Sequence, residues 1–422
     1  MIEKVKFTSK SLLSWFLFDW ANSAFPTVIT TFVFATYFTE KIAVNHIVGT
    51  SLWGDAMSIA AIVIAITSPI FGAIADVSGK RKIWLAFFAV LTIISSAWLW
   101  KIKPNHSYVY LALFYVVLGE IGMEVGAVFY NAMLNDLVPE KQTGRASGIG
   151  WGIGYFGGLV ALSLILFVFL NKNMNFLGLP EDQQVRIVGP FIAIWYAIFA
   201  IPLFVFTKQP AKPTISLWVA VKTGLSSLRS TLKSTLRYRN TFSFIIARMI
   251  YIDGLNTVFA FGGIYAAGVF HLNMDQVIIF GISTNVSAGI GAISLGWVDD
   301  WIGSKATILI SLVVMIASAL VVVLSQSYFI FWIFGLILCF CVGSVQSASR
   351  SMMLRLAPKE IITEMFGFYA LSGRITAFVG PWLLGFVTLM FNSQRVGMST
   401  VILFFIFGGI LLLFVKEKRD QH

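Results

Sequence analysis

The sequence predicts an all-α membrane protein of twelve transmembrane helices, arranged as two pseudo-symmetric bundles of six. Three observations carry that expectation. Of 422 residues, 58% are hydrophobic and only 12% are charged; a soluble domain is nearer one half and one quarter. The apolar residues fall into long runs of roughly 20, the length that crosses a bilayer as a helix. Short polar motifs in the first half of the chain recur in the second.

Taken in order, spans 1 to 6 are expected over 12–38, 51–75, 83–100, 108–134, 148–170 and 189–207. Spans 7 to 12 are expected over 242–269, 277–298, 305–325, 328–350, 366–391 and 397–415. The runs are continuous, whereas barrel strands are short and alternating. A charged N-terminus (Glu3, Lys4, Lys6, Lys10) precedes the first run. That run is too long for a signal peptide, so it reads as an uncleaved span. The longest polar stretch divides the chain into an N-terminal bundle, 1–207, a linker, 208–240, and a C-terminal bundle, 241–422. Within the linker, TGLSSLRSTLKSTLRYRN suits a surface helix on an anionic leaflet or a solvated connector equally well.

Twelve spans put both termini on one side. The segments on that side carry 21 Lys and Arg, and the opposite side carries six. This bias predicts cytoplasmic termini and a cell (inner or plasma) membrane location. It also explains most of the net charge of +11, so no nucleic-acid partner is needed. Cys339 and Cys341 lie two apart in one apolar run and are not expected to bridge. His46, His106, His271 and His422 fall in expected loops or the tail. No metal site, cofactor or nucleotide loop is expected, and the protein is expected to be a monomer.

The loop after span 2 reads GAIADVSGKRK and the loop after span 8 reads GWVDDWIGSK. Gly72, Asp76, Gly79 and Arg81 stand in register with Gly296, Asp300, Gly303 and Lys305 or its neighbour. Glycines permit a tight turn. The aspartate is expected to cap the following helix, and the basic residues to stay with lipid headgroups. PEKQTGRASG and PKEIITEMFG repeat one hairpin later. Span 1 holds FDWANSAF and span 7 holds YIDGLN, so Asp19 and Asn22 recur as Asp253 and Asn256. At 1.5 Å per residue, Asp19 lies about 10 Å and Asp253 about 16 Å into its span. Carboxylates at such depth are costly and usually face a bundle interior or a wet cavity. Both D-x-x-N faces are therefore expected to line a central pathway.

The two G-x-x-x-D-x-x-G loops make the chain resemble the major facilitator superfamily. FDWANSAF, EVGAVFYNAML (124–134), GWGIGYFGG (150–158), YIDGLNTV, QSASRSMM (346–353) and FGFYALSGRITAFVGP (366–381) make it similar to the vacuole-effluxer-like, or unknown major facilitator, branch. The resemblance spans nearly the whole chain. It implies two bundles rocking about a site lined by spans 1, 4, 7 and 10, and places Glu124, Asn131 and Gln346 in that lining. Val77 and Trp301 follow the loop aspartates where many superfamily members carry Arg after the first. Glu120 and Glu124 stand on span 4 where an Arg is frequent.

Glu120 and Glu124 are four apart and share a helical face. Two carboxylates in low dielectric do not both ionise cheaply, so one is a candidate proton carrier. Alternatively, each is neutralised by an arginine that locks two helices. Arg248, about 9 Å into span 7, could snorkel outward. Arg374, about 12 Å into span 11, is expected to pair with a buried acid. Either could instead meet an anionic substrate group. Arg350, at the end of span 10, reads as a gate or headgroup contact. Gly150, Gly154 and Gly158 form a small face for close helix packing.

These features predict a secondary transporter of a small polar solute, working by alternating access. Proton coupling and amino-acid export are its finer expectations. A non-transporting solute sensor and a membrane-embedded lipid enzyme are the alternatives. The enzyme lacks support: H-E-x-x-H and G-x-S-x-G are both absent from the sequence.

Overall fold

The computed structural model describes residues 9–170, 178–208, 216–233 and 237–417. Glu3, Lys4, Lys6, Lys172, His422 and parts of the linker lie outside them. The described residues are helical throughout, without strands. Among the described residues, eleven helices are long and apolar enough to cross a membrane. Spans 2, 3, 4 and 6 run over His46–Ser78, Arg81–Trp98, Val109–Leu137 and Val188–Phe206. Span 5 runs over Thr143–Leu164 and continues as a π-helical turn to Phe169. Spans 7, 8, 9, 10 and 12 occupy Arg239–Phe270, Met274–Ile302, Ser304–Leu324, Tyr328–Leu356 and Gln394–Leu413.

Span 1 is not a continuous rod. It breaks after Lys10–Asn22 and resumes in pieces, Pro26–Phe32, Phe34–Tyr37 and Phe38–Ile42. Pro26 lacks an N–H and crowds the preceding turn, which accounts for the break. Span 11 is likewise divided, into Ile362–Arg374 and Val379–Phe391, with turns between. Pro381 sits in the first turn of the second piece, where its missing N–H costs nothing.

The spans form two bundles of six. They meet through spans 2 and 11 on one side and spans 5 and 8 on the other. Small residues make these seams close. A Cβ on Gly148 would lie 2.3 Å from the Ala292 carbonyl oxygen, and one on Gly367 2.5 Å from Pro69 Cα. Both seams lie toward the end of the molecule bearing Lys10, Lys80–Lys82 and Val415, hereafter the basic face. Outward-turned Ile59, Ile62 and Ile66 share one exposed face of span 2, as a lipid contact requires.

The linker contains a helix, Leu217–Lys233. Ala220 is fully buried and Gly224 sits on Ile74, where an added Cβ would be 2.9 Å from Cα. Ser227 Oγ donates to Glu364 at 3.2 Å. The linker helix is thus docked on the basic-face ends of spans 2 and 11. Trp218, 76% exposed, points away from the body.

Candidate transport pathway

The repeated loops act across the seam between bundles. Asp76 accepts from Thr363 Oγ1 at 2.6 Å and the Glu364 backbone N–H at 2.8 Å. Arg81 donates to Asp76 at 2.9 Å, Asp136 at 3.1 Å and Thr363 at 2.7 Å. In the second copy, Asp300 accepts from the N–H groups of Gly144 at 2.7 Å and Arg145 at 3.2 Å. The Arg145 side chain adds a bond of 2.6 Å. Each aspartate therefore satisfies free N–H groups, and meets the positive dipole end, at the start of a helix in the other bundle.

This corrects three expectations. Neither aspartate caps the helix that follows it: the residue before span 3 or span 9 makes no side-chain cap, and the Ser304 and Lys305 N–H groups that open span 9 donate to Glu417 at 3.0 Å each. Arg81 and Lys305 are not left to headgroups: Lys305 Nζ donates to the Leu413 carbonyl at 2.7 Å. Gly72 and Gly296 serve the seam rather than the turn. A Cβ on Gly72 would be 2.5 Å from the Thr363 oxygen, and one on Gly296 2.9 Å from the Gly144 oxygen. The turns fall to Gly79 and Gly303, at φ of 65° and 100°, which favour glycine.

Deeper in the seam, Arg350 is 2% exposed. It donates to Asp19 at 3.1 Å, Asn131 at 3.2 Å, Ser147 Oγ at 2.9 Å and the Ser147 carbonyl at 2.7 Å. Its guanidinium carbon lies 4.7 Å from the centre of the Trp15 ring, 5.7 Å from Trp151 and 5.9 Å from Tyr130. Arg350 is therefore no headgroup contact; span 10 continues beyond it to Leu356. Asn22 does not share this focus, because its side-chain oxygen accepts from Tyr196 at 3.0 Å. Gly150, Gly154 and Gly158 seat span 5 on span 1, against Asp19, Ser23 and Thr27. Gln346 accepts from Tyr155, another link between bundles.

The acids of span 4 meet Arg374. Its guanidinium lies 3.0 Å from Glu120 and also contacts Glu124. The alternative in which an arginine joins both acids is the observed geometry. Glu124 and Arg374 keep 28% and 29% of their side-chain surface exposed, although both are mid-span and face between the bundles. Space therefore reaches them. Among the described residues, the polar contacts joining the bundles run from the basic face to this level, and two further buried apolar clusters are each confined to one bundle, one around Phe25, Phe34 and Trp195 and one around Tyr265, Phe280 and Phe331.

Asp253 does not mirror Asp19, and Asn256 is half-buried. Asp253 is 1% exposed, and one oxygen accepts from the Gly380 N–H at 3.1 Å. That N–H is free because span 11 restarts at Val379. The other Asp253 oxygen has no hydrogen-bond partner. Arg248 does not snorkel. It is buried, donates to the Tyr369 carbonyl and Ser372 Oγ at 2.8 Å each, and lies 3.4 Å from the centre of the Tyr369 ring. Sequence reasoning passed over Arg145, Arg355 and the full role of Arg350. Arg355 joins Asp299 at 2.6 Å and Glu417 at 3.0 Å. A cluster of serines around Arg350 (Ser347, Ser349, Ser351) was the available signal, since small polar residues mark close helix packing in a membrane.

This architecture has clear relatives. The family model described as vacuole effluxer Atg22 like matches residues 40–422. The chain belongs to that family. Among curated proteins, it is 28% identical to the uncharacterized MFS-type transporter YxiO of Bacillus subtilis (strain 168), covering 96% of this chain and 95% of that one. Autophagy-related protein 22 of Candida glabrata is 24% identical over 65% of this chain and 56% of its own. The fold is that of major facilitator transporters. The proton:xylose symporter XylE superposes with a TM-score of 0.76 at 15% identity, over 97% of this chain and 96% of that one. The transporter FucP in its outward conformation gives 0.75 at 16%, over 97% and 99%. This family member is accordingly a multi-pass membrane protein with the two-bundle major facilitator fold.

Proposed function

We propose that this protein is a secondary active transporter of a small polar solute, with the basic face in the cytoplasm and a site between bundles 1–207 and 241–422. The observation that carries the reading is where the inter-bundle contacts lie. Asp76 and Asp300 clamp the basic face shut, while Glu124 and Arg374 above them stay partly exposed. Alternating access requires such a gate to break and re-form about a fixed site. The relatives named as transporters support it and favour transport over an enzymatic role.

The pathway set is Asp19, Asn131, Glu120, Glu124, Gln346 and Arg374, with Arg350 added. Asp253 and Arg248 border it, each engaged with span 11. Mixed charges in this set suit a zwitterion such as an amino acid. Exchange of the Arg374 contact for a proton on Glu120 or Glu124 would couple protons to movement. The test is release of a preloaded labelled amino-acid mixture from proteoliposomes, with and without a pH gradient. Gradient-dependent flux that vanishes in Asp19→Asn supports the reading. No flux from folded protein rejects amino acids as cargo.

A further inference from the structure

The surroundings of Arg350 have an asymmetry that a simple lock does not need. Every group that holds the guanidinium belongs to the N-terminal bundle: Trp15 and Asp19 on span 1, Tyr130 and Asn131 on span 4, Ser147 and Trp151 on span 5. The C-terminal bundle supplies the cation and, behind the Ser147 hydroxyl, the Ser347 carbonyl that accepts from it at 2.7 Å. The walls are fixed without the cation. Trp15 and Tyr130 stack with ring centres 4.5 Å apart, and each bonds the other's backbone carbonyl at 3.0 Å. Gly150 keeps the floor open: a Cβ there would lie 2.7 Å from both Asp19 and Trp15 and 2.9 Å from Arg350.

The cage presents one carboxylate, acceptor oxygens from an amide, a hydroxyl and a carbonyl, and aromatic faces. That is the recognition chemistry of a planar or alkyl cation. When the bundles part at the basic face, Arg350 leaves with span 10 and the cage faces the cytoplasm. We propose that the cage is then the binding site for a guanidinium- or ammonium-bearing solute, for which Arg350 is the tethered stand-in. Binding and Arg350 docking exclude each other, so cargo favours the inward-open form by removing the contact that closes it. This rests on the transport reading above and names its substrate class.

The test is binding of labelled agmatine to purified protein, with butylurea as the uncharged ureido control. Arg350→Ala removes the competitor and should tighten agmatine binding by about tenfold or more. Adding Asp19→Asn to that variant should abolish the gain. In the unaltered protein, agmatine but not butylurea should raise deuterium uptake over 143–151 and 347–354, where the seam opens. The proposal is overturned if Arg350→Ala binds agmatine no better than wild type, or binds butylurea equally. Should Arg350→Ala not fold, unchanged exchange of the wild type in high agmatine overturns it alone. Flux of a neutral solute without these binding signals would leave transport standing and remove this inference. Cation binding without flux would do the reverse.

Discussion

Residue by residue, the buried charges sort by what happens when one is deleted. Arg374 serves two carboxylates, of which Glu120 is almost fully buried and keeps one oxygen without a hydrogen-bond partner. Removing the arginine leaves two acids facing each other, whereas removing one acid leaves a satisfied pair. Breaking a buried pair costs about 3–5 kcal/mol, and partial exposure of Arg374 puts this site toward or below the lower end. Arg374→Met should therefore lower the melting temperature clearly more than Glu124→Gln does. Adding Glu120→Gln and Glu124→Gln to Arg374→Met should recover most of the loss in a mutant cycle. Equal losses from all three single changes would contradict the shared-arginine geometry. That these charges were special was legible in the sequence from depth alone. Which charge met which was not, because partners such as Asp19 and Arg350 lie far apart along the chain, and periodicity says nothing of contacts between bundles.

Among elements, spans 5 and 8 set how closely the bundles approach. The spacing of Gly150, Gly154 and Gly158 announced a close helix neighbour, and that neighbour is span 1. Gly144, Gly148 and Gly152, in the same helix, pack instead on span 8. One helix thus carries two small faces, and the sequence shows both stripes without assigning either. A side chain at Gly148 would strike backbone of Ala292, which a rotamer change cannot relieve. Gly148→Val is expected to hold the basic face open, raising cysteine labelling from that side and abolishing flux. Gly54→Ala, where a Cβ meets nothing within 4 Å, should leave both unchanged. The helix breaks are a second element-scale feature. Pro26 accounts for the one in span 1, which the single run expected over 12–38 did not show. The one in span 11 follows from a tertiary demand, the Asp253 carboxylate needing the freed N–H of Gly380.

At the scale of the whole molecule, duplication was legible from the paired loops, and the helix count from hydropathy. What duplication does for the mechanism was not, because the loop aspartates look like local caps until the other bundle is in place. Asp76 reaches the start of span 11 and Asp300 the start of span 5, so the two copies close one gate from its two sides. A cap deletion costs about 0.5–2 kcal/mol. On the proposed alternating-access mechanism both caps form in one state and break in the other, so their losses act on a single two-state balance. Together Asp76→Ala and Asp300→Ala remove roughly 1–4 kcal/mol from the closed form, a shift of about fivefold or more toward the open one. Spin labels at the exposed Lys141 and Lys359 positions, before spans 5 and 11, should report it as a longer-distance population that grows in each single variant and dominates in the double. An unchanged distance distribution in the double variant would mean that the basic face is held by its side-chain pairs and packing, with the helix-end contacts following rather than setting the gate.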